Sequence, residues 1–187
     1  DNTISVTLTD VNGNKTVKTA VVTIEDNIPP EALCKNDTVY LGANGIGTTS
    51  VAEIDDGSND ACGISQMLLS KSIFDCDNIA LSPHTIYLNV YDSSYNRSVC
   101  TAEVTVLDTM PPDALCNDLT VVLDNSGHAS ITVDEVNNNS FDACGIESIE
   151  IDSSDFDCSN VGENTVVLTV TDIYQNSSTC ESVVTVE

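Results

Sequence analysis

The chain has 187 residues, with 30 Asp plus Glu against 5 Lys plus Arg, 8 Cys, 5 Pro, 9 Gly and no Trp. A formal charge of −25 excludes a nucleic-acid binder, which needs clustered cations, and disfavours docking on an anionic membrane surface. No apolar run of about eighteen residues is present to span a bilayer, and no basic-then-apolar opening marks a secretion signal.

Residues 1–28 contain two alternating runs. Thr3 to Asp10 matches Thr85 to Asp92, and Thr19 to Ile24 matches Thr101 to Val106. This predicts the last two strands of a truncated module, so that the chain is a piece of a longer array whose earlier part is missing, or the hairpin packs on something else. A lone hairpin of that kind is marginal in water. Lys18 stands where Cys100 and Cys180 stand in the later copies.

Residues 29–110 and 111–187 are two full copies of one module. Pro29-Pro30-Glu31-Ala32-Leu33-Cys34 returns as Pro111-Pro112-Asp113-Ala114-Leu115-Cys116. Ala61-Cys62-Gly63-Ile64 returns as Ala143-Cys144-Gly145-Ile146, and Phe74-Asp75-Cys76 as Phe156-Asp157-Cys158. The cysteines are spaced 28, 14 and 24 apart in the first copy and 28, 14 and 22 in the second.

Within each copy, Ile86, Leu88 and Val90, or Val166, Leu168 and Val170, alternate with polar residues. Period two with threonine on the wet face predicts antiparallel sheet with one side buried. Turn signals such as Asn12-Gly13, Asn44-Gly45 and Ser126-Gly127 separate the runs, and no pattern supports a helix of three turns. Roughly seven short strands per module predict an all-β fold of tandem immunoglobulin-like Greek-key β-sandwiches. The Pro-Pro pairs fall at the joints and stiffen a head-to-tail rod.

Four cysteines per module, without any Cys-x-x-Cys pair, point to disulfides rather than zinc. Three pairings per module are open, and the nested one is expected. It joins Cys62 to Cys76 and Cys34 to Cys100, then Cys144 to Cys158 and Cys116 to Cys180. The short loop would be worth about 3 kcal/mol and the long one about 4 kcal/mol.

Acid is concentrated towards the C-terminus: residues 1–28 carry net −2, residues 29–110 net −8 and residues 111–187 net −15, with no base in the last. Such self-repulsion calls for cations, and calcium suits the oxygen ligands on offer. The candidate ligands are Asp26 and Asp108 before the Pro-Pro pairs, and Asp10, Asp92 and Asp172 opening the last turn. Glu53, Asp55, Asp56 and Asp60 precede Cys62, with Glu135 and Asp142 as counterparts before Cys144. No twelve-residue EF-hand loop is present, and acids at turns also serve as caps and as solubilising charge.

Catalysis is not expected. His84 and His128 occupy non-equivalent positions, and neither Gly-x-Ser-x-Gly nor His-Glu-x-x-His occurs. Tyr87, Tyr91 and Tyr95 are candidates for a sugar-stacking patch, or plain cross-strand partners.

Pro-Pro-x-Ala-x-Cys, Asp-x-Cys-Gly and the alternating Thr/Val run leading to Asp-x-x-x-Asn resemble the hyalin-repeat (HYR) group of immunoglobulin-like modules. The versions in very large surface proteins of gliding, Bacteroidetes-type bacteria are the most similar. The resemblance implies an extracellular adhesin or stalk at the cell surface, secreted and built from many modules. Partners would be neighbouring modules of the same chain, with identical filaments or surface glycans as further candidates. Asp37-Thr38-Val39 and Asp108-Thr109-Met110 look like the O-glycan acceptor of the same bacteria, which makes Thr38 and Thr109 candidate glycosylation sites. The expected role is a semi-rigid spacer, the alternative a carbohydrate-binding or accessory module of a secreted enzyme.

Overall fold

The fold is described for residues 2–187 from a computed structural model. It opens with a hairpin of β1 (Asn2–Thr9) and β2 (Lys15–Val22) in which every residue of both strands is exposed. The first module follows, with β3 (Asp37–Tyr40), β4 (Ile46–Thr48), α1 (Val51–Ile54), β5 (Ile64–Leu69), β6 (Ile73–Asp75), β7 (His84–Asp92) and β8 (Arg97–Leu107). The second repeats it with β9 (Leu119–Val121), β10 (His128–Ser130), α2 (Val133–Val136), β11 (Ile146–Ile151), β12 (Asp155–Asp157), β13 (Gly162–Asp172) and β14 (Ser177–Val186).

Each module is a sandwich. One layer is a four-stranded sheet, ordered β3-β8-β7-β5 in the first module and β9-β14-β13-β11 in the second. Its first pair is parallel and the others antiparallel. The facing layer is lighter. It consists of the β4–β6 or β10–β12 pair, with isolated bridges Glu31↔Asn59 and Cys34↔Asp55, or Asp113↔Phe141 and Cys116↔Asn137. Six named strands per module, plus the bridged segment near its start, take the place of the seven expected.

Alternation explains the layers. Ile86, Leu88 and Val90 point inward and are at most 1% exposed, as are Val166, Leu168 and Val170. They meet Phe74 and Ile54, or Phe156 and Val136, from the lighter layer. α1 and α2 are single turns, each opened by a capping box. Glu53 accepts the N–H of Ser50 at 2.7 Å, and Glu135 that of Thr132 at 2.8 Å.

Disulfides tie the layers together. Cys34 sits on the lighter layer and Cys100 on β8; their Cα atoms are 5.7 Å apart, and those of Cys116 and Cys180 are 5.9 Å apart. Both distances are ordinary for a disulfide.

Leu88→Ala or Leu168→Ala should cost about 3 kcal/mol, because each leaves a cavity in a closed core. Val6→Ala, on the exposed hairpin, should change stability by less than about 0.5 kcal/mol. Denaturant midpoints of the three variants measure the contrast.

Candidate functional site: the joint between modules

The chain order of strands decides which cysteines can meet. Cys62 precedes β5, whose pairing sets Ile64 opposite Asp92, at the end of the module nearest residue 29. Six extended residues then carry the chain about 20 Å towards the other end. There β6 delivers Cys76 beside Gly45, whose carbonyl oxygen lies 3.7 Å from its sulfur. Cys62 and Cys76 are separated by a strand, not by a loop.

The structure therefore corrects the expected short-loop bonds. Cys76 bonds to Cys144 of the following module, with Cα atoms 5.3 Å apart and a sequence separation of 68. Cys62 and Cys158 remain free thiols, both exposed. Neither Cys62–Cys76 nor Cys144–Cys158 forms. A separation of 14 residues looked local; what the sequence pattern hid was that those residues run the length of the module. One signal was available in Gly45 and Ala143, the small residues that let the two ends approach. A Cβ built on Gly45 would lie 2.9 Å from the Cys76 sulfur and 3.2 Å from the Ala143 Cβ.

Beside this bond lies an acidic cluster. Asp108, Asp142 and Cys144 gather ligand-type atoms within 4.8 Å of one another, and the equivalent Asp26, Asp60 and Cys62 gather at the preceding joint. The backbone of each cluster is held by its own carboxylates. Asp108 accepts the N–H of Met110 at 3.0 Å, and Asp142 accepts those of Cys144 at 2.7 Å and Gly145 at 3.0 Å. In the first cluster Asp26 accepts from Ile28 and Asp60 from Cys62.

The electrostatics match the geometry. Burial, opposed by the Met110 N–H and reinforced by the charges of Asp142 and Asp172, pushes the Asp108 carboxyl above its ordinary value. At the first joint, hydrogen bonding to Asp26 and then its charge push the Cys62 thiol up. Sulfur is a weak donor, and Asp26 Oδ2 stays buried without a well-formed hydrogen bond among the described residues. A buried orphan oxygen beside a second carboxylate suits a hard cation such as calcium. Asp108 and Asp142, or Asp26 and Asp60, would supply the charge.

The other candidate ligands do different work. Asp92 is fully buried, and burial opposes its charge. Hydrogen bonds from the Asn96 amide at 2.7 Å and from the N–H groups of Asn96 and Ser94 at 2.8 Å outweigh that and hold its carboxyl low. Asp172 holds the same turn with Tyr174 and Asn176, and Asp10 with Asn12 and Asn14. The Asn96 amide also donates to the Asp26 carbonyl at 3.0 Å, which locks the turn to the joint. Glu53 and Glu135 close the capping boxes, Asp55 accepts from the Ser58 N–H, and Asp56 is exposed. None of these four is gathered into a cluster with the joint.

Thr38 on β3 and Thr109 in the joint are both exposed. Tyr87 and Tyr95 are exposed, Tyr91 partly so, and their counterparts Val167, Thr171 and Gln175 carry no ring.

The fold thus defines a class: tandem, disulfide-stapled, immunoglobulin-like β-sandwich modules arranged head to tail. No family model matches the chain, and no curated protein matches it. Among solved structures it is similar to extracellular cadherin domains 1–4 of protocadherin gamma B7, at 13% identity and TM-score 0.39, covering 92% of this chain and 55% of that one. It is similar too to mouse clustered PcdhgC3 EC1–3, at 11% identity and TM-score 0.35, covering 99% of this chain and 76% of that one. A third is human mucin-like protocadherin EC1–2, at 14% identity and TM-score 0.34, covering 81% and 96%. The chain spans about half the length of the first of these. Likeness at this level settles neither family nor role.

Two outcomes test the joint. Cys76→Ser should free the Cys144 thiol, so thiol titration under non-reducing denaturation should rise from two to three per chain. Asp108→Asn should stabilise the calcium-free chain at neutral pH. The folded carboxyl is raised, so its ionisation works against folding above that raised value. The gain should fade as pH falls through it and vanish below the ordinary 3.8, as thermal melts across that range would show.

Proposed function

We propose that the chain is a segment of an extracellular surface array in which hyalin-repeat-like modules serve as a semi-rigid spacer. The carrying observation is the Cys76–Cys144 bond, which fixes one module to the next through a second covalent path. Three disulfides belong to an oxidising, extracellular setting. The bacterial adhesin assignment rests on the Pro-Pro-x-Ala-x-Cys and Asp-x-Cys-Gly motifs.

Residues 2–22 are read as the last two strands of a further module. Ile4 pairs with Ala20 and Val6 with Lys18, just as Ile86 pairs with Ala102 and Leu88 with Cys100. Yet Ile4, Val6 and Leu8 are 49–64% exposed where Ile86, Leu88 and Val90 are buried. Their apolar face has the pattern of a core without the facing layer.

As a spacer the chain has a mechanical signature. Pulled from its ends while oxidised, it should not release the residues enclosed by Cys34–Cys100 and Cys116–Cys180. Reduction should add about 200 Å of contour length per module. Single-molecule force spectroscopy would read this directly; equal lengthening of oxidised and reduced chains would remove the spacer reading.

Calcium at the two acidic clusters would relieve their repulsion and limit bending. Millimolar calcium should raise the melting temperature by about 5 °C or more, and Asp108→Asn with Asp142→Asn should reduce that response. Identical melts in calcium and in chelator would remove calcium from the account. The alternative role, carbohydrate binding, draws on Tyr87, Tyr91 and Tyr95, whose counterparts in the second module carry no ring. Saturable binding on a glycan array, lost in Tyr87→Ala, would favour it.

A further inference from the structure

The molecule contains one inter-module bond, Cys76–Cys144, and two free, exposed thiols, Cys62 and Cys158. At the completed joint, Asp108, Pro111, Asp142, Ala143 and Cys144 line a cleft that Gly42 and Ala43 of the preceding module close. At the first joint the equivalent residues, Asp26, Pro29, Asp60, Ala61 and Cys62, line a cleft to which, among the described residues, no other module contributes a loop. The register is the same residue for residue, and the cysteine at its edge is the free one.

The far end of the second module carries the matching half. Cys158 follows β12 as Cys76 follows β6, and its sulfur lies 3.9 Å from the carbonyl oxygen of Gly127, as that of Cys76 lies 3.7 Å from Gly45. Gly45 and Gly127 both have positive φ, 70° and 79°. A Cβ on Gly127 would come within 2.8 Å of the Cys158 sulfur, as one on Gly45 comes within 2.9 Å of Cys76. The turn is preset, because Asp124 accepts from the Ser126 N–H, the Ser126 hydroxyl and the His128 N–H. Those bonds, the hydroxyl first, hold its carboxyl at about 2.

We propose that Cys158 and Cys62 are docking cysteines for further copies of this module. Cys158 bonds the second cysteine of a following copy, and Cys62 bonds the third cysteine of a preceding copy. The cleft at Ala61 receives the preceding copy's Gly-Ala loop. The metal reading of Cys62 is weaker, because its equivalent Cys144 spends its sulfur on Cys76.

The chemistry is a two-electron oxidation by a dithiol–disulfide exchange protein of the oxidising compartment. The Cys158 thiolate attacks that protein's disulfide, forming a mixed disulfide and releasing one of its thiols. The facing cysteine's thiolate attacks the Cys158 sulfur and expels the second. The two module thiols lose two protons and two electrons, which end on the reduced dithiol carrier. Repeated along an array, the bonds make a continuous sulfur-linked rail beside the backbone.

The inference rests on the array reading for the existence of a further copy, and its test is independent of calcium and of force. The full 187-residue chain is extended directly after Glu187 by a second run of residues 108–187, expressed under oxidising conditions and mapped without reduction. A parallel chain carries residues 26–107 there instead. The expected product joins Cys158 to the appended copy's second cysteine, leaving two free thiols: Cys62 and the appended third cysteine. Cys158→Ser in the original position should raise the count to three. A count of four without the substitution, or one with it, would overturn the proposal. The first means unbonded ends, the second a bond within the appended copy.

Discussion

A sulfur bond that crosses from one module to the next is the constraint on which the architecture turns. Without it, the joint would rest on the Pro-Pro linker and on contacts such as the Asn176 amide's hydrogen bond to the Asp108 carbonyl. With it, the joint has two covalent paths, the backbone through Pro111-Pro112 and the Cys76–Cys144 bridge. Two attachments at separate points resist bending as well as separation. The modules gain a fixed relation that neither core imposes alone, and the bond seats Cys144 of the second module against the core of the first.

Acids crowd the joint whether or not a sulfur bond crosses it. Asp108 and Asp142 gather beside the bonded Cys144 as Asp26 and Asp60 gather beside the free Cys62. Burial first, and then the charges of Asp142 and Asp172, raises the Asp108 carboxyl. Asp92 and Asp172 are buried nearby and engaged by their turns, so they order the loops, and the Asp172 charge still adds to the upward push on Asp108. The stapled layers have a similar logic: with a light second layer and few aromatics, Cys34–Cys100 and Cys116–Cys180 restrain the unfolded chain where packing contributes less.

Much of this could be read beforehand. The alternation of Ile86, Leu88 and Val90 specifies both the strand and its buried face, and the 82-residue return of Pro-Pro and Ala-Cys-Gly-Ile marks the modules. The structure holds no helix of three turns among its described residues, as the sequence pattern implies, and the single turns α1 and α2 are marked only by the capping-box spacing of Ser50 to Glu53 and Thr132 to Glu135. A single turn is too short to show helical periodicity. The partner of Cys76 was not legible for a different reason. Equal spacing in both copies fits bonds within a module and bonds between neighbours alike, and the direction of β5, with the small Gly45 and Ala143 at the contact, separates them. Likewise, acidic residues close in sequence, such as Glu53 to Asp60, divide between a helix cap, a turn and the joint once folded.

The claim that the cross-joint bond makes one body of two modules is tested most directly by backbone N–H residual dipolar couplings of the oxidised chain in a weakly aligning medium. A single alignment tensor should fit the strands of both modules, and the double variant Cys76→Ser, Cys144→Ser should require two of unequal magnitude. Two unequal tensors in the intact, oxidised chain would contradict the account.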